Sequence, residues 1–250
     1  TFAIRGKFIN VRKSTRTQVE NNVEVVALKE VIGLRNGVDY NNQENKAKLR
    51  YGKIELFTDM DDDGYHIRGL LLGFFYQWPS LFDQGMITSI STLVSRATIG
   101  KTQHFFYSNP DFKVWQDEYK GKVIPKIEYF KGLGSTPPGD IHLYADDPKI
   151  IKFVRGDEDE IEYVNLAFSD SKENRLWRKS WITRDLVPSN SMVIKSEKEN
   201  EKVIVCGDLS IPDFIDKQLI IYHIMTLKRA IPCIYDGLND ASRKILYGAL

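Results

Sequence analysis

The chain has 250 residues, 42% of them hydrophobic and 28% charged, with a formal net charge of +1 at neutral pH. These values are typical of a soluble globular protein, and the length gives room for one large domain or two smaller ones. No apolar run reaches 18 residues, so no membrane span is predicted. Cys206 and Cys233 form no CxxC pair and no apolar leader opens the chain. We therefore expect reduced thiols in an intracellular protein.

The near-neutral total hides an uneven distribution of charge. Residues 1–53 hold 11 Lys and Arg against 5 Asp and Glu, a local excess of six positive charges. Such an excess is typical either of a solvated basic face or of a surface that binds a polyanion. The count alone leaves both interpretations open.

The first predicted elements surround a turn rich in aspartate. Residues 1–11 alternate apolar and polar side chains, which predicts a strand, and residues 18–34 repeat apolar side chains at helical spacing. Residues 51–59, "YGKIELFTD", read as a buried strand, and residues 65–82 as an apolar helix that stops near Pro79. Strand, acidic turn and helix together predict an α/β sheet whose site lies at the carboxyl ends of its strands.

The remainder of the chain alternates strand-like, charged and helical segments. The patterns predict strands within 85–98, 102–108 and 126–133, surface loops at 155–162 and 195–202, and helices within 211–232 and 236–250. The second charged loop is also a predicted boundary between domains. No internal repeat is visible.

The turn itself carries four aspartates in five positions, in the stretch "DMDDDG" that spans residues 59–64. Carboxylates this close repel one another unless a cation or a strongly basic partner sits among them. In an extended segment Asp59, Asp61 and Asp63 share one side of the backbone, whereas Asp62 points elsewhere. Three carboxylates on one side suit a hard divalent cation with oxygen ligands.

Four interpretations of this cluster compete. A calcium-binding EF-hand loop needs a Glu at its twelfth position, which is Leu70 here, and a helix rather than a strand before it. A phosphatase would use one Asp as nucleophile and the Asp two positions on as acid, but no small hydroxyl residue follows Gly64. A Mg²⁺ site for phosphodiester chemistry fits the residue types. An acidic surface turn without function is disfavoured by the strongly apolar segments on both sides.

Four blocks of the sequence resemble type IIA DNA topoisomerases, in that family's order. Residues 51–75 resemble the acidic Asp-x-Asp-x-Asp-Gly segment of its TOPRIM domain, and residues 4–14 are similar to its Arg-Gly-Lys-x-x-Asn-Val stretch. Residues 129–135 resemble its Lys-Gly-Leu-Gly loop, and residues 229–246 its Ile-Pro-x-x-x-Asp-Gly-Leu…Arg-Lys segment. The resemblance is closer to the branch of eukaryotes and large DNA viruses than to bacterial gyrase.

The resemblance implies an α/β fold: a Rossmann-like TOPRIM domain with a mainly parallel sheet flanked by helices, then the beginning of an α-rich winged-helix domain. It places the TOPRIM domain at 1–155, lacking its first strand and Glu motif, a connecting segment at 156–205, and the start of the winged-helix DNA gate at 206–250. The implied activity is an ATP-dependent double-strand break through a tyrosine–DNA bond, passage of a second duplex, and resealing. The catalytic tyrosine and the ATP site are expected outside these residues, so the chain alone is predicted to be inactive.

The resemblance also implies roles for individual residues. Asp59 and Asp61 are expected to bind Mg²⁺, in a two-metal site, with Asp63 as a water-mediated or orienting group. Lys131 and His66 are the candidate catalytic residues. The candidate DNA contacts are Arg5, Lys7, Lys131, Arg243 and Lys244.

The expected partners are double-stranded DNA and a second copy of the chain, and no membrane is expected. The expected location is the nucleus, or the cytoplasm if the source is a large DNA virus.

Three departures from the family pattern matter. Asn239 and Asp240 replace a Lys-Pro pair, which weakens a basic contact there, and Asp62 is an additional acid. Tyr247 lies in the wrong context to be the nucleophile. A Mg²⁺-dependent phosphatase, or another phosphoryl-transfer enzyme, remains the alternative.

Overall fold

The computed structural model describes residues 1–119, 124–156, 160–186 and 203–249. Its strands are β1 (Ile54–Phe57), β2 (Ile87–Ile90), β3 (Ser95–Ile99), β4 (Thr102–Phe106), β5 (Lys126–Tyr129), β6 (Ile150–Val154) and β7 (Gly207–Ser210). Its α-helices are α1 (Arg16–Glu20), α2 (Val23–Ile32), α3 (Gln43–Lys46), α4 (Asp62–Phe75), α5 (Ser80–Asp83), α6 (Asn109–Tyr119), α7 (His142–Ala145), α8 (Glu160–Phe168), α9 (Lys172–Leu186), α10 (Ile211–Phe214), α11 (Ile220–Ala230) and α12 (Asp240–Ala249).

Two sheets organise these elements. The four-stranded sheet has the order β1-β2-β6-β7, in which β1 pairs with β2 and β6 with β7 in parallel, while β2 and β6 are antiparallel. The three-stranded sheet has the order β4-β3-β5 and is antiparallel throughout. The predicted fold class, an α/β protein with a parallel-rich sheet flanked by helices, is confirmed. The boundaries at 155/156 and 205/206 remain predictions.

Helix α4 lies at the centre of the core. Ten of its fourteen residues are buried, because its apolar side chains continue around most of the helix. Phe74 is fully buried and packs edge-on against Phe8 at 5.3 Å and Trp78 at 5.3 Å. Helices α8 and α11 also pack against α4. The first turn of α4 carries Asp62 and Asp63, and Asp61 caps the helix, so this packing holds the acidic turn to a rigid support.

Two of the predicted elements in the N-terminal part were wrong in detail. Residues 1–11 form no strand, although Phe8 is buried, because an alternating pattern specifies which side is apolar but supplies no neighbouring strand. The helix predicted at 18–34 is two helices, since Asn22 interrupts it and caps α2 by accepting a hydrogen bond from the Val25 amide at 3.0 Å.

The later predictions had mixed outcomes. Helices α10 and α11 are joined by a π-type turn over Ile215–Leu219, which confirms the helical prediction for 211–232. The loop predicted at 155–162 was wrong in its last part, because Glu160 is buried and starts α8. Within that segment, 157–159 are outside the described residues, as is the whole predicted loop 195–202. Both cysteines are free thiols. None of the described helices combines the length and apolar character needed to cross a bilayer.

Candidate metal and nucleic-acid site

The acidic turn, residues 58–63, leaves the carboxyl end of β1 beside the carboxyl end of β2. The Met60 amide donates a hydrogen bond of 3.0 Å to Thr92 Oγ1, just beyond β2. Because β1 and β2 are parallel, both strands end at the same edge of the sheet. The acidic turn therefore lies at the edge of the sheet where the sequence analysis predicted a site.

The turn becomes helical earlier than expected. Helix α4 begins at Asp62, and Asp61 caps it by accepting a 2.7 Å hydrogen bond from the Gly64 amide. The prediction that Asp59, Asp61 and Asp63 share one side assumed extended backbone through Asp63, and it was wrong because Asp63 already lies in the first helical turn. Gly64 is required here, since a Cβ on it would lie 1.9 Å from the Asp59 carbonyl oxygen.

The KGLG loop, Lys131–Gly134, closes over Asp59. The Leu133 amide donates a hydrogen bond of 2.8 Å to Asp59 Oδ1. Gly132 has a φ of +85°, and a Cβ on it would lie 2.5 Å from Asp59 Oδ2. Two blocks more than seventy residues apart are thus brought together, and the exposed Lys131 stands at the start of the loop.

Asp62 and Asp63 have basic side chains as partners instead. Asp62 Oδ2 lies 3.0 Å from Arg229, and Asp63 Oδ1 lies 2.9 Å from Lys7. The hydrogen bond from Lys7 lowers the pKa of the Asp63 carboxyl. Burial raises the pKa of Asp62, and the Arg229 charge opposes that rise. The role of Asp63 as a water-mediated metal ligand or an orienting group remains a prediction; its carboxylate is 48% exposed and pairs with the Lys7 ammonium.

Lys7 and His66 meet at a residue that sequence reasoning missed, Tyr222 of α11. The His66 imidazole stacks on the Tyr222 ring with centroids 4.0 Å apart and planes 10° apart. Lys7 Nζ lies 3.3 Å from the Tyr222 hydroxyl oxygen. The hydrogen bond with Asp63 raises the pKa of Lys7, whereas burial lowers the pKa of His66 to about 4. Among the described residues the buried Nδ1 of His66 has no hydrogen-bond partner.

A second missed residue, Arg68, lies behind the turn. It is fully buried, and its guanidinium donates to Thr58 Oγ1 at 3.1 Å and to Gln218 Oε1 at 3.2 Å. Burial lowers its pKa to about 10, so it remains a cation at neutral pH. The sequence carried a signal, because an arginine within a continuous apolar stripe is almost never fully buried unless it is paired. Tyr222 and Arg229 gave no such local signal.

The remaining predicted DNA contacts are Arg5, Arg243 and Lys244, whose surroundings differ from those of Lys7. The Arg5 amide donates to Glu24 at 3.1 Å, and its side chain is exposed. Arg243 makes a bidentate pair with Asp236 at 2.9 and 3.1 Å, which lowers the pKa of that carboxyl to about 2. Lys244 is exposed on α12. Contact of these residues with DNA remains a prediction.

The carboxylates of Asp59 and Asp61 are the side chains of the turn best suited to a metal ion. Within the ranges that the structure describes, no three His, Cys, Asp or Glu side chains form a group able to hold a metal. Asp59 and Asp61 are each held by a backbone N–H, a neutral donor that leaves the carboxylate charge in place. Mg²⁺ usually binds one or two carboxylates and keeps several waters. These two side chains therefore fit part of a Mg²⁺ site, and the implied Glu ligand is expected outside this chain.

Comparison with known proteins identifies the class. Residues 86–227, more than half of the chain, match the family described as the C-terminal associated domain of TOPRIM. The chain belongs to this family.

Individual relatives are more specific. The chain is 36% identical over 255 residues to DNA topoisomerase 2 of Arabidopsis thaliana and 34% identical over 251 residues to DNA topoisomerase 2-beta of Gallus gallus. These alignments cover 99% and 98% of this chain but only 16% and 15% of the relatives. The crystal structure of the Plasmodium falciparum topoisomerase II DNA-binding, cleavage and re-ligation domain matches with a TM-score of 0.78 and 31% identity, over 98% of this chain and 32% of that one. The predicted resemblance is confirmed, and the phosphatase alternative is not favoured.

Proposed function

We propose that this chain is the metal-binding and DNA-binding part of an ATP-dependent type II DNA topoisomerase. The observation that carries the proposal is the closure of the KGLG loop over Asp59 at the carboxyl ends of β1 and β2. That contact joins two of the blocks on which the resemblance rests into one site. Similarity to DNA topoisomerase 2 proteins over nearly the whole chain supports it.

In the proposed reaction a tyrosine from another part of the longer protein attacks a DNA phosphorus atom and displaces a sugar oxygen. Religation is the reverse displacement. Asp59 and Asp61 hold Mg²⁺, which when bound supplies Lewis-acid stabilisation of the charge that develops on oxygen. The KGLG loop fixes the Asp59 carboxylate through the Leu133 amide. Lys131 and His66 are the proposed catalytic residues beside the phosphate, and Asp63 orients Lys7.

The DNA contacts proposed are to phosphates rather than to bases. Lys7 pairs with Asp63 of the acidic turn, and Lys131 begins the loop that closes over Asp59. Arg5, Arg243 and Lys244 are proposed as further phosphate contacts. Phosphate contacts hold the duplex in register and carry no sequence information, as an enzyme that acts on DNA topology requires. Because each neutralised phosphate releases counterions, we expect affinity for duplex DNA to fall steeply with salt.

The longer protein is proposed to act as a homodimer, with ATP bound in a part outside this chain and a second Mg²⁺ beside the first. Its place of action is the nucleus, or the cytoplasm for a large DNA virus. The 250 residues alone are expected to bind DNA without cleaving it, since the nucleophilic tyrosine is expected elsewhere.

The test uses the full-length protein with supercoiled plasmid, ATP and Mg²⁺. The wild type is expected to relax the plasmid in linking-number steps of two, and Asp59→Ala and Asp61→Ala are expected to abolish relaxation while DNA binding survives. Asp208→Ala is the matched control, because Asp208 is an exposed aspartate on β7. Relaxation that persists in both turn variants would remove these aspartates from the mechanism. A wild type that never relaxes plasmid would remove the function itself.

A further inference from the structure

Three separate elements converge on the ring of Tyr222. Lys7 comes from the N-terminal segment, His66 from the second turn of α4, and Tyr222 from α11. The His66 imidazole stacks on this ring with the ring centroids 4.0 Å apart. Lys7 Nζ lies 3.3 Å from the Tyr222 hydroxyl oxygen and 4.9 Å from the ring centroid. A phenol ring offers both a π-face and a polar tip, so a single side chain can hold an imidazole and an ammonium at once.

We infer that Tyr222 is a positioning residue that sets Lys7 and His66 for contact with a DNA phosphate. The inference rests on the proposed function, because both partners are proposed to act on the phosphate. Tyr222 contacts Lys7 and His66 and has no proposed part in the chemistry itself. Its role is to reduce the freedom of a long side chain and of an imidazole before DNA arrives.

The geometry of Lys7 shows why a holder is needed. An ammonium group has three N–H donors on a flexible stem of four carbons, and it loses considerable rotamer entropy when it is fixed. Asp63 accepts one donor at 2.9 Å and Tyr222 accepts a second at 3.3 Å. Nearly half of the Lys7 side chain remains exposed, so a phosphate can still reach it. With Asp63 alone the ammonium would pivot about a single contact.

Tyr222 also restricts the orientation of the His66 imidazole. Stacking at an interplanar angle of 10° fixes the plane of the imidazole, and the buried Nδ1 marks the inner edge of the ring. Tyr222 is held in turn by its neighbours, since His223 lies edge-on at 5.3 Å and contacts Trp181 at 5.5 Å. The support is therefore a chain of packed aromatic rings and not an isolated contact.

The two functions of Tyr222 can be separated by substitution. Tyr222→Phe removes the hydroxyl that accepts from Lys7 and keeps the stacking face, whereas Tyr222→Leu removes both. Loss of one hydrogen bond to a charged partner is expected to weaken binding of duplex DNA by about three- to tenfold. Tyr222→Leu is expected to weaken binding further and also to slow cleavage, because the imidazole plane is then released. Tyr51→Phe, at an exposed tyrosine, is the control and should match the wild type.

The deciding experiment is a double-mutant cycle in the full-length protein, with binding to plain duplex DNA and plasmid cleavage both measured. In a Lys7→Ala background, Tyr222→Phe is expected to have no further effect on binding, and the thermal midpoint of Tyr222→Phe should stay within a few degrees of the wild type. A Tyr222→Phe protein that binds like the wild type would overturn the inference, as would a loss that is undiminished in the Lys7→Ala background. In both of these outcomes the wild-type protein still cleaves the plasmid, so they contradict the role of Tyr222 and not the proposed function. Absence of cleavage in the wild type would instead contradict the proposed function.

Discussion

The two halves of the acidic turn differ in what holds them. Asp59 and Asp61 accept hydrogen bonds from backbone amides, at 2.8 and 2.7 Å. Asp62 and Asp63, one and two positions further on, pair with Arg229 and Lys7. An amide fixes a carboxylate without neutralising it, whereas a cation neutralises it. The first half therefore keeps negative charge available for a metal ion, and the second half ties the turn to the rest of the fold.

The comparison teaches that residue type alone does not assign a role within a cluster. The change of partner coincides with the start of α4, because the Asp61 cap ends the extended backbone and turns the next two side chains toward α11 and the N-terminal segment. Four aspartates that look equivalent in the sequence thus divide into two pairs.

The substitution Gly64→Ala should disrupt both halves of the turn. Its Cβ would lie 1.9 Å from the Asp59 carbonyl oxygen and 3.2 Å from Asp61 Oδ1, and the obstacle nearest to it is backbone. We expect the free energy of unfolding to fall by about 3 kcal/mol or more, measured by urea denaturation. Gly52→Ala, where a Cβ meets nothing within 4 Å, is the control and should stay within about 0.5 kcal/mol. Equal stability of the two variants would refute the close approach.

The pH dependence of the free energy of unfolding tests the packing of His223 against Tyr222, which contacts Lys7, the partner of Asp63. Burial holds the pKa of His223 at about 4, below its usual value of 6.5. The folded state therefore stays neutral while the unfolded state takes up a proton, so stability is full above pH 6.5 and is lost as the pH falls toward 4.

The expected contribution of His223 over this window is about 2 kcal/mol, as a decrease in the free energy of unfolding between pH 6.5 and 4.5. His66, whose pKa is also lowered to about 4, adds to the decrease in the same direction. The variant His223→Gln should show a shallower decrease than the wild type. An unchanged slope in that variant would show that the imidazole of His223 is not buried in the neutral form.

The substitution Gly132→Ala should act on the first half through the loop. The positive φ disfavours a side chain there, and a Cβ would lie only 2.5 Å from Asp59 Oδ2. We expect a modest loss of stability, about 1 to 2 kcal/mol, and a loss of at least tenfold in plasmid cleavage by the full-length protein. Gly134→Ala, with open space around its Cβ, is the matched control. Cleavage that falls equally in both variants would mean that the loop acts through some other contact.

The substitution Arg229→Gln should have the smallest effect. Arg229 is half exposed and its pair with Asp62 spans 3.0 Å, and partly exposed ion pairs contribute little. We expect the free energy of unfolding to fall by less than about 1 kcal/mol, with plasmid cleavage within threefold of the wild type. A loss of cleavage as large as that from Asp59→Ala would show that the second half of the turn takes part in the chemistry.

The sequence predicted the local features well and the long-range partners poorly. The strand at β1, the helix at α4 and the site at the strand ends follow from apolar patterns within a few residues of the turn. The assumed strand at residues 1–11 failed because alternation does not supply a pairing partner. The grouping of Asp63 with Asp59 and Asp61 failed because the helix begins at Asp62, two residues earlier than extended backbone through Asp63 allows.

The partners of the turn come from distant parts of the chain. Arg229 is 167 residues from Asp62, and Tyr222 is 215 residues from Lys7. The sequence around a tyrosine or an arginine in an amphipathic helix does not indicate which distant residue it will contact. Only Arg68 was detectable in principle, as a cation inside an apolar stripe. The family blocks, in contrast, brought the KGLG loop and the acidic turn into one hypothesis because their order along the chain carries information that a single motif lacks.

The most direct test of the account compares Asp59→Asn with Asp62→Asn in the full-length protein, with plasmid cleavage measured as the Mg²⁺ concentration is raised. The asparagine oxygen can still accept the Leu133 amide, so Asp59→Asn removes charge and leaves the loop contact. The account predicts that Asp59→Asn needs at least tenfold more Mg²⁺ or loses cleavage altogether, whereas Asp62→Asn follows the wild-type curve. The same Mg²⁺ dependence in both variants would contradict the division of the turn into a metal-binding half and an anchoring half.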